Sequence, residues 1–577
     1  MADQFNTGIK KRIIFVQVFL GAMIFALGAK AFDIQIFKAD ELTAKAMSDY
    51  SKALTIKGER GQILDRQYHK LATSADAASV SACPAQIEHP RQVAEKLAGI
   101  LGLDRRKLAK TLSSDRMFAW VARSISPFQA EEIKKLGITG IYFEDDFKRF
   151  YPQRDMAAQV LGFTNAEDNG LEGLEFKYNS LLEGESLKLK VIRDGNGRIF
   201  HLDKSTRSRL RGSSIVLTLD KKIQYLSERV LEKTVTAHKA KSGIALVMRP
   251  ATGELLSIAH FPRFNPNNFS DYTWEAFRNR AVTDSFEPGS AMKVFTAAAA
   301  LEKGFAPKQI FYCEQGSYRI GTYTVNDTHP NGWLSINQII KVSSNIGAVK
   351  IVETIGDKAL YEYLTDFGFG SKTFVGSPGE TAGALLPYQK WSRIDAGAIS
   401  FGQGMSVSAI QLISGISAIA NGGTLMKPML VKKVLSNTGE DLKVFHPQPL
   451  RRVVSEKTAR QVKYMMGLAV AEDGTGTKAA LDGYSVCGKT GTAQKAMKNK
   501  RGYAKNKYIS VFAGFAPKEH PELAVLVVVD EPRKEYYGGD VAAPAFRNII
   551  SESFNYLNIR PEKGRSMIAM VEREEKE

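Results

Sequence analysis

Cysteine is scarce in this chain: Cys83, Cys313 and Cys487 are the only three among 577 residues. An odd, sparse count excludes a disulfide framework as the source of stability, leaving buried free thiols or a lone Cys83–Cys313 pair. No cluster of His, Cys and carboxylates has the spacing of a metal site, so neither a metal nor another cofactor is expected. Acidic residues are in deficit, 61 against 79 Lys and Arg. Such a balance raises nucleic acid as a partner, but zinc-finger spacing and RNA-binding signatures are missing, which favours an anionic membrane surface or cell-wall polymer. Long internal repeats are missing too. What is present is ample for folding: 44% apolar and 10% aromatic residues exclude global disorder, and the length calls for two or three domains.

One long apolar run exists, and it lies near the start. Lys10, Lys11 and Arg12 precede Ile13 to Ala29, which contains no charged residue. That run spans about 25 Å as a helix, short of a hydrocarbon core of about 30 Å. Lys30 can snorkel and Ala31 to Phe37 can extend the helix, giving a membrane anchor over 13–37. The positive flank keeps residues 1–12 in the cytoplasm and sends the rest outside, as a single-pass protein of the cytoplasmic (inner) membrane. Ala29-Lys-Ala31 resembles a signal cleavage site, but the run is longer than a signal core, which favours an uncleaved anchor.

Beyond the anchor, Asp40 to Leu54 reads as a short amphipathic helix and residues 84–140 as alternating short helices and turns. Residues 188–211 read as a basic, turn-rich stretch. A second domain begins near residue 221. It opens with a helix over 223–236 and a hairpin whose strands, 243–248 and 254–259, are joined by Pro250 to Gly253. Val486 to Ala493, Tyr508 to Phe515 and Leu523 to Val529 read as further sheet strands. Lys495 to Lys507 reads as a solvated basic loop. These readings divide the chain into an anchor, a non-catalytic region 38–220, a catalytic region 221–561 and a charged tail 562–577.

Three short motifs occur in order: Ser290-Ala-Met-Lys293, Ser343-Ser-Asn345 and Lys489-Thr-Gly-Thr492. A serine hydroxyl needs a base within reach to act as a nucleophile at neutral pH. On a helix, positions i and i+3 share a face, so Lys293 can serve Ser290. Pro288-Gly289 would let the helix begin at the serine, whose N-terminal N–H groups face a developing anion. Each motif alone is weak, since a chain of this length should hold on the order of two or three Ser-x-x-Lys matches by chance. Ser335-Ile-Asn337 and Ser553-Phe-Asn555 also match the second motif, and Ser335 is better explained as the cap of the helix carrying Ser343. The ordered triplet is the specific signal.

With Glu287-Pro-Gly-Ser290, Phe401-Gly-Gln-Gly404, Gly488 to Gln494, Tyr537-Gly-Gly539, and upstream Arg60-Gly61, Asp65-Arg66, Tyr151-Pro152 and Gly170 to Glu175, the chain resembles the class B penicillin-binding proteins. The resemblance covers nearly the whole length. It implies an elongated α+β pedestal of dimerisation type and an α/β transpeptidase domain with a five-stranded antiparallel sheet flanked by helices. It also implies a serine D,D-transpeptidase that cross-links peptidoglycan stem peptides and is acylated by β-lactams. The septal, cell-division branch is the nearer likeness, with the elongation branch as alternative. A β-lactamase or carboxypeptidase, a β-lactam-sensing receptor and a non-catalytic division scaffold are the other readings.

Under this resemblance Ser290 is the nucleophile, Lys293 its base, Ser343 a proton relay, and Asn345 a hydrogen-bonding partner of substrate. Lys489 polarises Ser343. Thr490, Gly491 and Thr492 bind substrate, with the N–H groups of Ser290 and Thr492 as oxyanion hole. Implied partners are stem peptides, β-lactams, a polytopic glycan polymerase, division proteins and the membrane, with no nucleic acid. Arg60, Asp65 and Arg66 read as a structural ion-pair knot between the domains. Cys487 stands where a small residue such as alanine is usual and could report on the site if labelled.

Overall fold

The structure, a computed structural model, describes residues 2–42, 51–192, 209–321, 323–497 and 502–562. The chain falls into two compact units, one of Met1–Glu59 with Gly184–Arg211, the other of Arg60–Glu183 with Gly212–Glu577. In the first, α1 (Ala2–Phe32) continues as a π-helical turn over Asp33–Phe37. Within it, Ile9–Phe37 is long and apolar enough to cross a membrane, with a mean hydropathy of 2.1. Ser51–Lys57 is a strand paired antiparallel with Ser186–Ile192, which corrects the helix expected over Asp40–Leu54. Only its start, through Leu42, is helical, and residues 43–50 lie outside the described residues. The strand's ladder partner is more than a hundred residues away, so its backbone hydrogen bonds leave no local trace. Of the stretch 188–211 expected to be turn-rich, residues 188–192 belong instead to the strand Ser186–Ile192, while 193–208 and the tail from 563 lie outside the described residues.

In the second unit, Asp220 caps α2 (Lys221–Ala237) by accepting from the N–H groups of Lys222 at 3.0 Å and Ile223 at 3.3 Å. Then come β1 (Ser242–Met248) and β2 (Leu255–Phe261), the expected hairpin. Helices that carry or surround the motifs follow, among them α3 (Lys293–Glu302), α4 (Ile336–Val342), α5 (Asn345–Ile355), α6 (Ala409–Ala420) and α7 (Glu456–Val470). The chain closes with β3 (Cys487–Ala496), β4 (Tyr503–Ala516), β5 (Leu523–Asp530) and α8 (Ala543–Leu557). The five strands form one antiparallel sheet in the order β3-β4-β5-β1-β2.

Period-two alternation explains why this sheet has helices on both faces. In β5, Val525, Val527 and Val529 enter one core with α2 and α8, while Leu526 and Val528 enter another with α6 and α3. A strand buried on both sides reads as a continuous apolar run, as Leu523–Val529 does. The basic stretch Lys495–Lys507 is not a plain solvated loop. Its first residues belong to β3 and its residues from Tyr503 on to β4, and Lys495 pairs with Asp530 at 2.7 Å and Glu531 at 2.8 Å.

A second, seven-stranded sheet contains Ile63–Leu64, Lys70–Ala82, Ala119–Ile125, Ile141–Phe150, Ser214–Leu217, Val431–Leu435 and Asp441–Val444. Its strand Ser214–Leu217 pairs with Ile63–Leu64 on one side and Val431–Leu435 on the other. Beside it, fully buried Glu175 accepts from Arg60 Nε at 2.7 Å and Arg149 Nε at 2.6 Å. The knot around Arg60 is therefore internal to residues 60–179. Asp65 and Arg66 do reach the catalytic region: Asp65 Oδ2 accepts from Lys221 N–H at 3.1 Å, and Arg66 lies 3.7 Å from Glu254.

Candidate active site

The first motif sits where a short strand becomes a helix. Ser285–Phe286 pairs with Val407–Ser408, and the chain then turns through Pro288 and Gly289 into a 3-10 turn, Gly289–Met292. Ser290 lies in that turn, partly exposed, and Lys293 is the first residue of the α-helix. The helix thus begins three residues later than the sequence suggested, with the 3-10 turn leading in. The turn that carries Ser290 is held between two backbones. A Cβ on Gly402, which has φ +82°, would lie 2.2 Å from Gly289 O, and one on Gly491 would lie 2.4 Å from Pro288 O. No side chain fits at either place.

The second motif is a junction between helices. Ser335 and Gln338 form a capping box at the start of α4, as expected for Ser335. Ser343 is not inside that helix but caps its C-terminal end in the left-handed region, at φ +63°. Ser344 then caps α5, accepting from Gly347 N–H at 2.9 Å. Asp327 pins the junction: it accepts from Ser344 Oγ at 2.5 Å, Asn345 N–H at 2.5 Å and Ile346 N–H at 3.0 Å. Asn345 Nδ2 donates to Asn326 O at 2.8 Å, which aims Oδ1 at Lys293.

The third motif lies on β3, the edge strand. Lys489 Nζ donates to Ser343 Oγ at 2.9 Å and to Thr490 O and Oγ1, both at 3.2 Å. Lys293 Nζ reaches the same serine, at 2.5 Å from its carbonyl oxygen and 3.3 Å from Oγ, and lies 2.7 Å from Asn345 Oδ1. Both ammonium groups are fully buried. Burial first, and then the charge of Lys489, holds Lys293 well below the usual lysine range, against the opposing pull of Asp327. Burial pushes Lys489 down to about 7. Thr490 Oγ1 lies 2.9 Å from Thr475 Oγ1, and Thr492 Oγ1 accepts from Gly538 N–H at 3.0 Å, which leaves its own proton free to donate.

Lys293, Ser343, Asn345 and Lys489 are thus joined by direct hydrogen bonds across the three motifs. Ser290 stands one turn before Lys293, and Thr490 to Thr492 continue the Lys489 strand. Asp327 and Thr475 escaped the sequence reading. Asp327 follows the strand Tyr323–Asn326 and looks like an ordinary turn residue, with partners far along the chain that no spacing rule reaches. Glu287 was visible in its motif but not as a site group. Its Oε1 accepts from Gly404 N–H at 3.0 Å and Tyr503 OH at 3.3 Å, while Oε2 is buried without a partner and burial raises its pKa.

Cys83, Cys313 and Cys487 are all free and buried, so the Cys83–Cys313 pair is not formed. Cys487 is fully enclosed, its Sγ donating to Lys463 O at 3.1 Å, and burial pushes the thiol up. It is not available as a labelling position in the folded protein, because neither access nor thiolate is at hand.

Comparison with known proteins agrees with this geometry. Residues 243–551 match the penicillin binding protein transpeptidase domain, and residues 55–217 the penicillin-binding protein dimerisation domain. The chain is 35% identical to the probable peptidoglycan D,D-transpeptidase PenA of Neisseria meningitidis, over 96% of this chain and 94% of that protein. It is 34% identical to stage V sporulation protein D of Bacillus subtilis, over 97% and 88% of the two chains. With peptidoglycan D,D-transpeptidase FtsI of Escherichia coli it shares 32%, over 94% and 91%. Among solved structures, penicillin binding protein 3 of Mycobacterium tuberculosis, complexed with aztreonam, superposes with a TM-score of 0.69 at 27% identity, covering 88% of this chain and 98% of that one. With a dimerisation region ahead of a transpeptidase region in one chain, and the three motifs gathered on Ser343, this protein belongs to the class B penicillin-binding proteins.

Proposed function

We propose that the chain is a septal peptidoglycan D,D-transpeptidase acting through a Ser290 acyl-enzyme. The observation that carries this reading is the meeting of two buried lysines at Ser343 Oγ, Lys489 at 2.9 Å and Lys293 at 3.3 Å. Two ammonium groups this close cannot both hold their protons easily, so Lys293 in its neutral form is a base for the Ser290 hydroxyl. Ser290 Oγ attacks the carbonyl of the penultimate D-alanine. Its proton passes to Lys293 and on through Ser343 to the departing D-alanine amine. The N–H groups of Ser290 and Thr492 hold the oxyanion, each worth about 3–4 kcal/mol. Thr490, Gly491 and Thr492 receive the terminal carboxylate, helped by the charge of Lys489, and Asn345 holds the substrate backbone. An amine from a neighbouring stem peptide then takes the acyl group, forming the cross-link and freeing Ser290. β-Lactams acylate the same serine.

The likeness to FtsI and PenA along nearly the whole chain supports both the transpeptidase reading and the septal branch. The positive flank at Lys10, Lys11 and Arg12 supports a cytoplasmic N-terminus with the catalytic region outside the cytoplasmic membrane. A polytopic glycan polymerase and other division proteins would be the working partners. The test is incubation of the full chain with a fluorescent penicillin beside Ser290→Ala. A stable covalent band that disappears in the variant is expected. Rapid drug hydrolysis without a band would indicate a β-lactamase, and neither band nor hydrolysis would indicate a scaffold.

A further inference from the structure

A cavity of about 310 Å³ opens between α4, α7 and the turn that follows β4, and none of the groups converging on Ser343 lines it. That volume is at the small end of ligand pockets, which run from about 300 to 1,000 Å³. Its walls are cationic: Arg460 and Lys463 from α7 and Lys518 from the turn, with Glu519 the one carboxylate. Lys518 pairs with its neighbour Glu519 at 3.2 Å, while Arg460 and Lys463 have no carboxylate partner among the described residues. Burial first, with smaller effects of the like charges of Arg460 and Lys518, holds the Lys463 ammonium below its usual range, against the opposing pull of Cys487 and Glu519. An anion in the cavity would relieve that strain. Asn337 also lines the cavity, and its Oδ1 is buried without a hydrogen-bond partner. Such a group asks for a hydrogen-bond donor, which a peptide N–H can supply. Tyr464 adds an apolar wall that is half exposed to solvent.

Carboxylates for the cations, an amide N–H for Asn337 and a short aliphatic part for Tyr464 are the chemistry of a carboxylate-rich peptide. We propose that this cavity binds such a peptide, and that its ligand is a peptidoglycan stem peptide held apart from the site of cross-linking. The choice of the stem peptide rests on the transpeptidase reading; the preference for a carboxylate-bearing peptide rests on the cavity alone.

The test titrates the full chain in detergent with a soluble stem tripeptide that ends in a diamino acid and lacks D-Ala-D-Ala. Calorimetry is run before and after Ser290 is acylated with penicillin. Saturable binding that survives acylation is expected, weakening as salt rises. Arg460→Ala and Lys463→Ala should each weaken it about tenfold or more, as loss of one charged hydrogen bond predicts, while both variants still form the penicilloyl band that certifies their fold. Absence of saturable binding, its loss on acylation, or equal binding by both variants would overturn the proposal. So would equal competition by inorganic phosphate, which would leave only a simple anion site. Tighter binding of an unrelated acidic peptide would overturn the stem-peptide assignment. Failure of the transpeptidase reading would show separately, as a penicilloyl band missing from the unmodified protein.

Discussion

At the scale of single residues, the site works by keeping charge where burial opposes it. Lys489, pushed by burial from 10.5 to about 7, binds its proton less tightly in the folded chain than in the unfolded one. Between those values the unfolded state holds more protons, so stability rises with pH across the window, by up to on the order of 5 kcal/mol, and the penalty is present in full below pH 7. Lys489→Met removes this group, and the rise in urea midpoint between pH 7.5 and 9.5 should shrink accordingly; an unchanged slope would refute the assignment. The two neighbours of Lys293 act on it with opposite signs. The Lys489 charge lowers its pKa and the Asp327 charge raises it. If neutral Lys293 is the base, the acid limb of the penicillin acylation rate should move to higher pH in Lys489→Met and to lower pH in Asp327→Asn. Loosening of the Ser343 junction in Asp327→Asn should also slow acylation, by up to about 10²-fold, as misplacement of a catalytic group does. Shifts in the same direction would rule out Lys293 as the titrating group.

At the scale of elements, backbone proximity does what side chains could not. The turn that carries Ser290 lies against Gly402, whose φ of +82° and 2.2 Å Cβ approach to Gly289 O leave no room for a methyl group. Gly402→Ala should therefore displace the Ser290 turn, cutting acylation sharply if Ser290 is the acylated residue, and costing about 1–3 kcal/mol from the backbone conformation alone. Thermal unfolding and acylation kinetics measured together check this, and a variant of wild-type rate and Tm would contradict it. Elements whose signals are local were legible in the sequence: the hairpin of β1 and β2, the capping box at Ser335, the apolar run of β5. The strand Ser51–Lys57 was not, because its hydrogen-bonding partner, Ser186–Ile192, is remote. Nor was the end of α4 at Ser343, since a left-handed serine becomes tolerable only once Asp327 and Lys293 grip the junction from elsewhere.

At the scale of the whole molecule, the region ahead of the catalytic elements is organised around a buried ion cluster. Arg60 and Arg149 share Glu175 with no solvent access to the acid. Arg60→Ala would strip Glu175 of one of its two cations in the interior, at a cost of about 3–5 kcal/mol. Chemical denaturation should show it, while Arg60→Lys recovers only part because a point charge cannot reproduce the bonds to Glu175, Asp168 O and Asn179 Oδ1. By itself the sequence determined the class of chemistry, since the three ordered motifs place particular side chains at fixed local spacing. It also determined the membrane-length apolar helix and the continuous apolar run of β5, which are local hydrophobic patterns. Only the tertiary structure decided that both lysines meet at Ser343, that Asp327 holds that serine in place, and that Cys487 is sealed away. Each depends on segments far apart in the chain being brought within hydrogen-bond distance, and the burial that shifts the lysines exists only once the core has closed around them.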